Sequence, residues 1–219
     1  NMASGQAEGV LGAHTARVTD IAFHPAGTSL AATAADGTVK QFDLPLVPAR
    51  PAAGHTDAVH AVAVSADGKL LASGSADQTV RLFNMADGAA VRQLAASAGK
   101  VSAVAFSPDS ALVAAGNDTG RVIFRKTADA ADMLQLAGHL GVVHDIHFHP
   151  TLPQLATAGE DGTIRLWELP QAGQPLAGHS QPIRSVAAAP DGSWYATSSD
   201  DKSLKIWKAE DQSVLKTIA

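Results

Sequence analysis

Three histidines each stand 18 residues ahead of a hydroxyl and 22 ahead of an aspartate: His55 with Ser73 and Asp77, His139 with Thr157 and Asp161, and His179 with Thr197 and Asp201. A hydroxyl, an imidazole and a carboxylate are the parts of a nucleophile, base and orienter relay. An enzyme needs one such set. Here the set recurs at a fixed spacing, which favours a repeated structural role, and no Gly-x-Ser-x-Gly elbow accompanies it.

Metal chemistry is the other reading of the histidines. His144, His147 and His149 cluster, but on a strand 147 and 149 share a face while 144 points the other way. His149-Pro150 also repeats His24-Pro25 at the place where Ser107-Pro108 stands in another unit, so a turn is the simpler role. The chain has no cysteine, which removes disulfides, thiolate metal sites and a cysteine nucleophile. The glycines belong to hairpin turns and not to a strand-to-helix phosphate loop. No metal, cofactor or catalytic residue is expected.

The elements that carry these residues repeat. The apolar residues that open each alternating stretch are Val18, Val59, Val101, Val143 and Ile183, at intervals of 41, 42, 42 and 40. Each unit has Gly-His (Gly54-His55, Gly138-His139, Gly178-His179; Ala13-His14 in the first), then an alternating strand such as Val101 to Ser107, and then a Pro/Asp/Gly turn. A small-residue strand follows (Leu70 to Ser75), then a tight turn at Asp77, a third strand (Thr79 to Phe83) and a weaker fourth. Period-two alternation with turns every 8–12 residues predicts antiparallel hairpins, four short strands per unit, and no helix longer than a turn.

These residues resemble the WD-repeat β-propeller family: Gly-His near the start of a unit and Ile164-Arg165-Leu166-Trp167 near its end. The resemblance covers about residues 8–218 and implies an all-β propeller of five four-stranded blades, where the family usually has seven or eight. Residues 1–7 read as a tag or linker remnant, and the repeats span about 14–54, 55–96, 97–138, 139–178 and 179–219.

In that family a His, a Ser/Thr, an Asp and the Trp form a buried hydrogen-bonded chain within each blade. The resemblance implies such chains for His139, Thr157, Asp161 and Trp167, and for His179, Thr197, Asp201 and Trp207. Unit two has His55, Ser73 and Asp77 but Phe83 in place of the indole. Unit one has His14, Asp36 and Phe42 with Ala32 in place of the hydroxyl. Unit three reads as Ser97 for His, Ala114 for the hydroxyl and Arg125 for the aromatic, with only Asp118 kept. Uneven stability follows, blades four and five being best locked and blade three loosest.

Family partner-binding positions lie near the start of the innermost strand and just before the buried Asp. Carried over, the first kind gives Arg17, Thr19, His60, Lys100, Ser102, His144 and Arg184. The second gives Ala35, Ala76, Asn117, Glu160 and Asp200. They imply a mixed-charge face without large aromatic anchors.

Composition narrows the partner. Net charge is −5 and no long basic run is present, which argues against nucleic acid; apolar runs are too short to span a bilayer. With no signal peptide in view, the default location is cytoplasmic. The expected function is a protein-interaction scaffold for a protein or peptide, alone or as a segment of a larger propeller protein. The alternative is an engineered or excised blade array that self-assembles into a larger ring, and a hydrolase or lyase at the propeller mouth, using Asp20 or Asp145, ranks last. The ends supply a surplus strand, Gly9-Val10-Leu11 beside a complete last unit at Ser213 to Ile218. This favours a homo-oligomer, or blades supplied by a longer chain, over a closed five-bladed monomer.

Overall fold

The computed structural model describes residues 14–44, 50–94, 99–169 and 174–218, with backbone alone over 174–177. The expectations placed on Gly9-Val10-Leu11, on residues 1–7 and on Ser97 lie outside the described residues.

The described residues form twenty strands and no helix. Blade one is β1 (Val18–Phe23), β2 (Ser29–Ala34), β3 (Val39–Asp43) and β4 (Arg50–Ala52). Blade two is β5 (Val59–Val64), β6 (Leu70–Ser75), β7 (Val80–Asn84) and β8 (Ala90–Leu94). Blade three is β9 (Val101–Phe106), β10 (Leu112–Asn117), β11 (Arg121–Lys126) and β12 (Asp132–Ala137). Blade four is β13 (Val143–Phe148), β14 (Gln154–Gly159), β15 (Thr163–Glu168) and β16 (Gln174–Ala177). Blade five is β17 (Ile183–Ala188), β18 (Trp194–Ser199), β19 (Leu204–Lys208) and β20 (Val214–Ile218). Each blade is one antiparallel meander in chain order, as hairpin-length connections require.

The blades are held together by four apolar layers, each between consecutive sheets. Ala31, Val39 and Ala52 of blade one meet Val59, Val62, Leu71 and Phe83 of blade two. Val122, Phe124 and Leu136 of blade three meet Val143, Ile146, Leu155 and Trp167 of blade four. The same arrangement joins blades two to three and four to five. Period-two alternation explains it: successive side chains of a strand go to opposite neighbours, so both faces of an inner blade are buried. Alanine and glycine in the second strands let the sheets approach closely. A Cβ on Gly74 would stand 2.5 Å from Val101 Cγ1.

Innermost strands converge on a central opening of about 600 Å³, lined among others by Asp20, His60, Ser102, His144, Asp145 and Arg184. Polar links join neighbouring blades around it. Thr19 donates to the Val59 carbonyl (2.6 Å) and Ser102 to that of Val143 (2.6 Å). Asp20 accepts from the Val62 amide (2.9 Å), and Asp145 accepts from the Val186 amide (2.9 Å) and the Ser185 hydroxyl (2.7 Å).

One inter-blade layer contains a misplaced polar side chain. Gln41 is 1% exposed at the position held by Leu82 and Leu166 in blades two and four. Among the described residues its amide nitrogen reaches only the Met85 sulfur (3.6 Å), and its carbonyl oxygen has no hydrogen-bond partner. Burying an unpaired amide oxygen costs about 1–3 kcal/mol. Gln41→Leu is therefore expected to stabilise the protein by roughly 1–2 kcal/mol, read as a higher urea midpoint with an unchanged slope.

Candidate functional site: the mouth of the propeller

The recurrent polar sets are internal ties. In blade four the Trp167 indole donates to Thr157 Oγ1 (2.9 Å), and the Thr157 hydroxyl lies 2.7 Å from His139 Nε2. Indole N–H can only donate, so Thr157 receives it and donates onward, which leaves the His139 proton on Nδ1, facing Asp161 at 3.1 Å. Asp161 also accepts from the amides of Leu140 and Thr163 and from the Thr163 hydroxyl. Blade five repeats the chain through Trp207, Thr197, His179 and Asp201. Blade two has His55 between Ser73 (2.7 Å) and Asp77 (2.8 Å), with Phe83 buried beside them.

The hydroxyls are sealed off: Ser73 and Thr157 are 0% exposed and Thr197 is 1% exposed. Burial holds the His55 and His139 imidazoles below their ordinary pKa, the aspartate bonds only partly opposing it, so both rings are neutral donors to their carboxylates. For Asp77, burial works upward, and bonds from Thr79, His55 and the Thr56 amide more than offset it, holding the carboxyl at about 2.

Blade one shows what the missing hydroxyl does. His14 Nδ1 meets Thr38 Oγ1 (2.8 Å), while Nε2 is buried beside Ala32 with no hydrogen-bond partner among the described residues. Ala32→Ser would restore the acceptor's donor. The expected gain is about 1 kcal/mol, measured by denaturant unfolding; Ala32→Val, of the same face but without a hydroxyl, should not reproduce it.

Blade three requires a correction of register. Trp167, Trp207, Phe83 and Phe42 pair with Leu155, Tyr195, Leu71 and Leu30, and Arg125 pairs with Val113. Two residues on from the paired residue stands the hydroxyl position, which is Ala115 and not Ala114. The buried-aspartate position, six before the aromatic, is Thr119 and not Asp118. Arg125 turns away to Asp132 and to the Ala130 carbonyl. Asn117 is 0% exposed and is no part of an exposed face. Its side-chain oxygen accepts from the amides of Thr119 and Arg121 and the Thr119 hydroxyl, the work that aspartate does in other blades. Asp118 stands instead in the face position of Glu160 and Asp200. It accepts from the Lys100 amide as Glu160 does from Val142.

Of the other residues expected at the face, Thr19, His60, Ser102, His144 and Arg184 line the opening, and its two sides differ. On the blade four and five side, Arg184 is gripped by Asp200 and also reaches His144 Nε2 (2.9 Å). On the blade one to three side, Arg17 and Lys100 are exposed, and neither makes an ion pair among the described residues. His60 is half-buried between them. Burial lowers its pKa, with Asp57 opposing and Lys100 and Arg17 adding to the effect.

Inside the opening, burial pushes the Asp20 and Asp145 carboxyls upward, although backbone amides, and for Asp145 the Ser185 hydroxyl, hold the charged form. Among the described residues no three His, Asp or Glu side chains are placed to share a metal ion. His149 uses Nδ1 to accept from the Thr151 and Leu152 amides, so its Nε2 donates to the Gly192 carbonyl of blade five (2.9 Å). His24 does the same toward Gly68 of blade two (3.1 Å). Both glycines have left-handed φ, and a Cβ on either would stand 2.2 Å from the ring. The shared Asp-Ile-x-Phe-His-Pro of residues 20–25 and 145–150 was the available signal for these cross-blade ties.

Comparison with known proteins agrees with this geometry. The family model for the WD domain, G-beta repeat, matches five times, at residues 5–43, 49–84, 88–124, 132–168 and 172–208. The chain belongs to the WD-repeat family. A segment of 51 residues is also 43% identical to the Notchless protein homolog of Arabidopsis thaliana, covering 22% of this chain and 11% of that protein. WD-repeat propellers are in general binding scaffolds, and no helix among the described residues is long and apolar enough to cross a membrane.

Proposed function

We propose that this WD-repeat chain is a protein-interaction scaffold that receives a protein or peptide at the mouth of the propeller. The observation that carries the reading is a division of labour among polar residues. The Ser/Thr-His-Asp sets are buried and mutually bonded, whereas His60, His144 and Arg184 line one opening, with exposed Arg17 and Lys100 just before the first residues of its strands and Asp200 bonded to Arg184. Asp20 and Asp145 are occupied by backbone amides, which disfavours a hydrolase or lyase there. A peptide-display selection against the whole chain tests it. Selected ligands should lose binding when Arg17, Lys100 and His144 are replaced together, with unfolding unchanged. Ligands indifferent to those positions would overturn it.

A second reading rests on the end blades: further blades complete the ring, from a second copy or a longer chain. Val18 and Ile21 of blade one are 49% and 56% exposed, whereas Val59 and Val62 are 0% and 6%, and Val143 and Ile146 are 0% and 3%. On blade five, Ala196, Leu204 and Ile206 are half-exposed where Ala156, Ile164 and Leu166 are buried. Such apolar faces drive association. Light scattering should show concentration-dependent mass, reduced by Ile21→Asp; a clean monomer at about 100 μM (a free energy near −5 kcal/mol for any self-association) would refute it.

A further inference from the structure

We infer that the blade one to three arc of the mouth is a carboxylate-binding subsite for an acidic peptide, with Arg17 and Lys100 as its cations and His60 between them. The inference rests on the scaffold reading and says which partner chemistry that scaffold takes.

Two independent features set this arc apart from the rest of the rim. The first is that blades one and two lack the acid that the other three blades carry just before the tight turn. Blades four and five carry Glu160 and Asp200 just before the tight turn, and Asp200 holds Arg184 through both carboxylate oxygens. The same position is Ala35 in blade one and Ala76 in blade two. Asp118 holds that position in blade three and accepts from the Lys100 amide (3.0 Å), while Asp57 accepts from the Ala58 amide (2.7 Å).

The second is the state of the two equivalent histidines. His144 is bonded to Arg184, whereas His60 makes no hydrogen bond among the described residues, although it is half-buried at the opening. A neutral imidazole there offers a carboxylate an N–H, while two exposed cations flank it. Bidentate Arg–carboxylate geometry gives Arg17 more selectivity than a point charge would.

The surroundings select a peptide over a nucleic acid. A polyanion needs many cations in a row to gain from counterion release. Here two cations are followed around the rim by Asp118, Glu160 and Asp200, with Asp20 and Asp145 inside the opening. One or two carboxylates fit the arc; a phosphate backbone tracking the face meets repulsion.

The test is fluorescence anisotropy of the whole chain with a labelled twelve-residue peptide rich in Asp and Glu, beside its Asn/Gln counterpart and a labelled oligo-dT. The acidic peptide should bind at least ten-fold more tightly than the amide peptide, and weaken as salt rises. Arg17→Glu and Lys100→Glu should each weaken it about ten-fold. Ala76→Glu, which restores the missing acid at a half-exposed position, should weaken it too. Lys69→Ala, an exposed cation at the β5–β6 turn away from the mouth, should leave it within two-fold, and circular dichroism of each variant reports folding. Equal binding of the two peptides, tighter binding of oligo-dT, or indifference to both charge reversals would overturn the subsite. If display-selected peptides of another chemistry still bind the mouth, the scaffold reading survives that outcome.

Discussion

Asp161→Ala is expected to destabilise the propeller by roughly 2–4 kcal/mol, whereas Asp118→Ala should cost less than about 1 kcal/mol. The difference follows from what each carboxylate satisfies. Asp161 is the acceptor for His139 Nδ1, the amides of Leu140 and Thr163, and the Thr163 hydroxyl. Removing it leaves several donors without a partner beside a histidine that is 5% exposed, and an orphaned buried donor costs more than a lost bond. The chain onward through Thr157 to Trp167 then loses the group that fixes the His139 tautomer.

Asp118 accepts one amide at the rim, where water replaces it. Chemical denaturation of both variants measures the contrast. Because each blade contacts only its neighbours, hydrogen exchange should localise the Asp161→Ala loss to blades three to five. Equal losses for the two variants would show that blade four is not locked by this chain of bonds. Asn117→Ala, not Asp118→Ala, is the blade three change expected to open its turn, since Asn117 supplies the acceptor there.

Much of this was legible before any coordinates. The 40–42 residue interval, the four strands per unit, and the substitution of Arg125 for the aromatic all follow from spacing and alternation. Blade three escaped because Asn117-Asp118-Thr119 offers an acid one residue from where the repeat puts it. A one-residue shift exchanges the faces of a strand; Asp118 stands seven residues before Arg125 where the other units have six, and the pairing of Arg125 with Val113 decides it. The hydroxyls two residues after each aspartate, at Thr38, Thr79, Thr163 and Ser203, were visible as a recurrence, but their bond to the carboxylate was not. Open ends are an expectation of the sequence, but which residues they uncover is not. Each unit's period describes pairing within a sheet, whereas exposure of Val18 and Ile21 depends on what stands beside the sheet.

Acid is expected to weaken the fold in two windows. Burial lowers His55 and His139 below the ordinary imidazole value of about 6.5. The unfolded chain therefore takes up those protons first. Their stabilisation is complete above about pH 6.5 and is lost as pH falls from there through the folded values. Asp77, held at about 2 against an ordinary 3.8, follows the carboxylate pattern: its stabilisation is present above about pH 4 and disappears as pH falls toward 2. Asp161 is displaced in the same direction, burial again being outweighed by the Leu140 amide and the Thr163 and His139 bonds.

Asp20 and Asp145 have the opposite sign. Burial raises both, so the stability linked to them is fully present below about pH 4 and is lost as pH rises through their folded values. They oppose the loss that the other aspartates cause as pH falls. Urea midpoints at pH 8, 6, 4.5 and 3 should fall at each step, and each unit of pKa displacement carries about 1.4 kcal/mol. Replacing His55 and His139 together by glutamine should flatten the midpoint between pH 8 and 4.5 while lowering it throughout. Asp145→Asn should steepen the loss between pH 4.5 and 3, because the group that resists acid has been removed. A midpoint that stays level from pH 8 to 4.5 in the unaltered protein would show that these imidazoles are not buried in its blades.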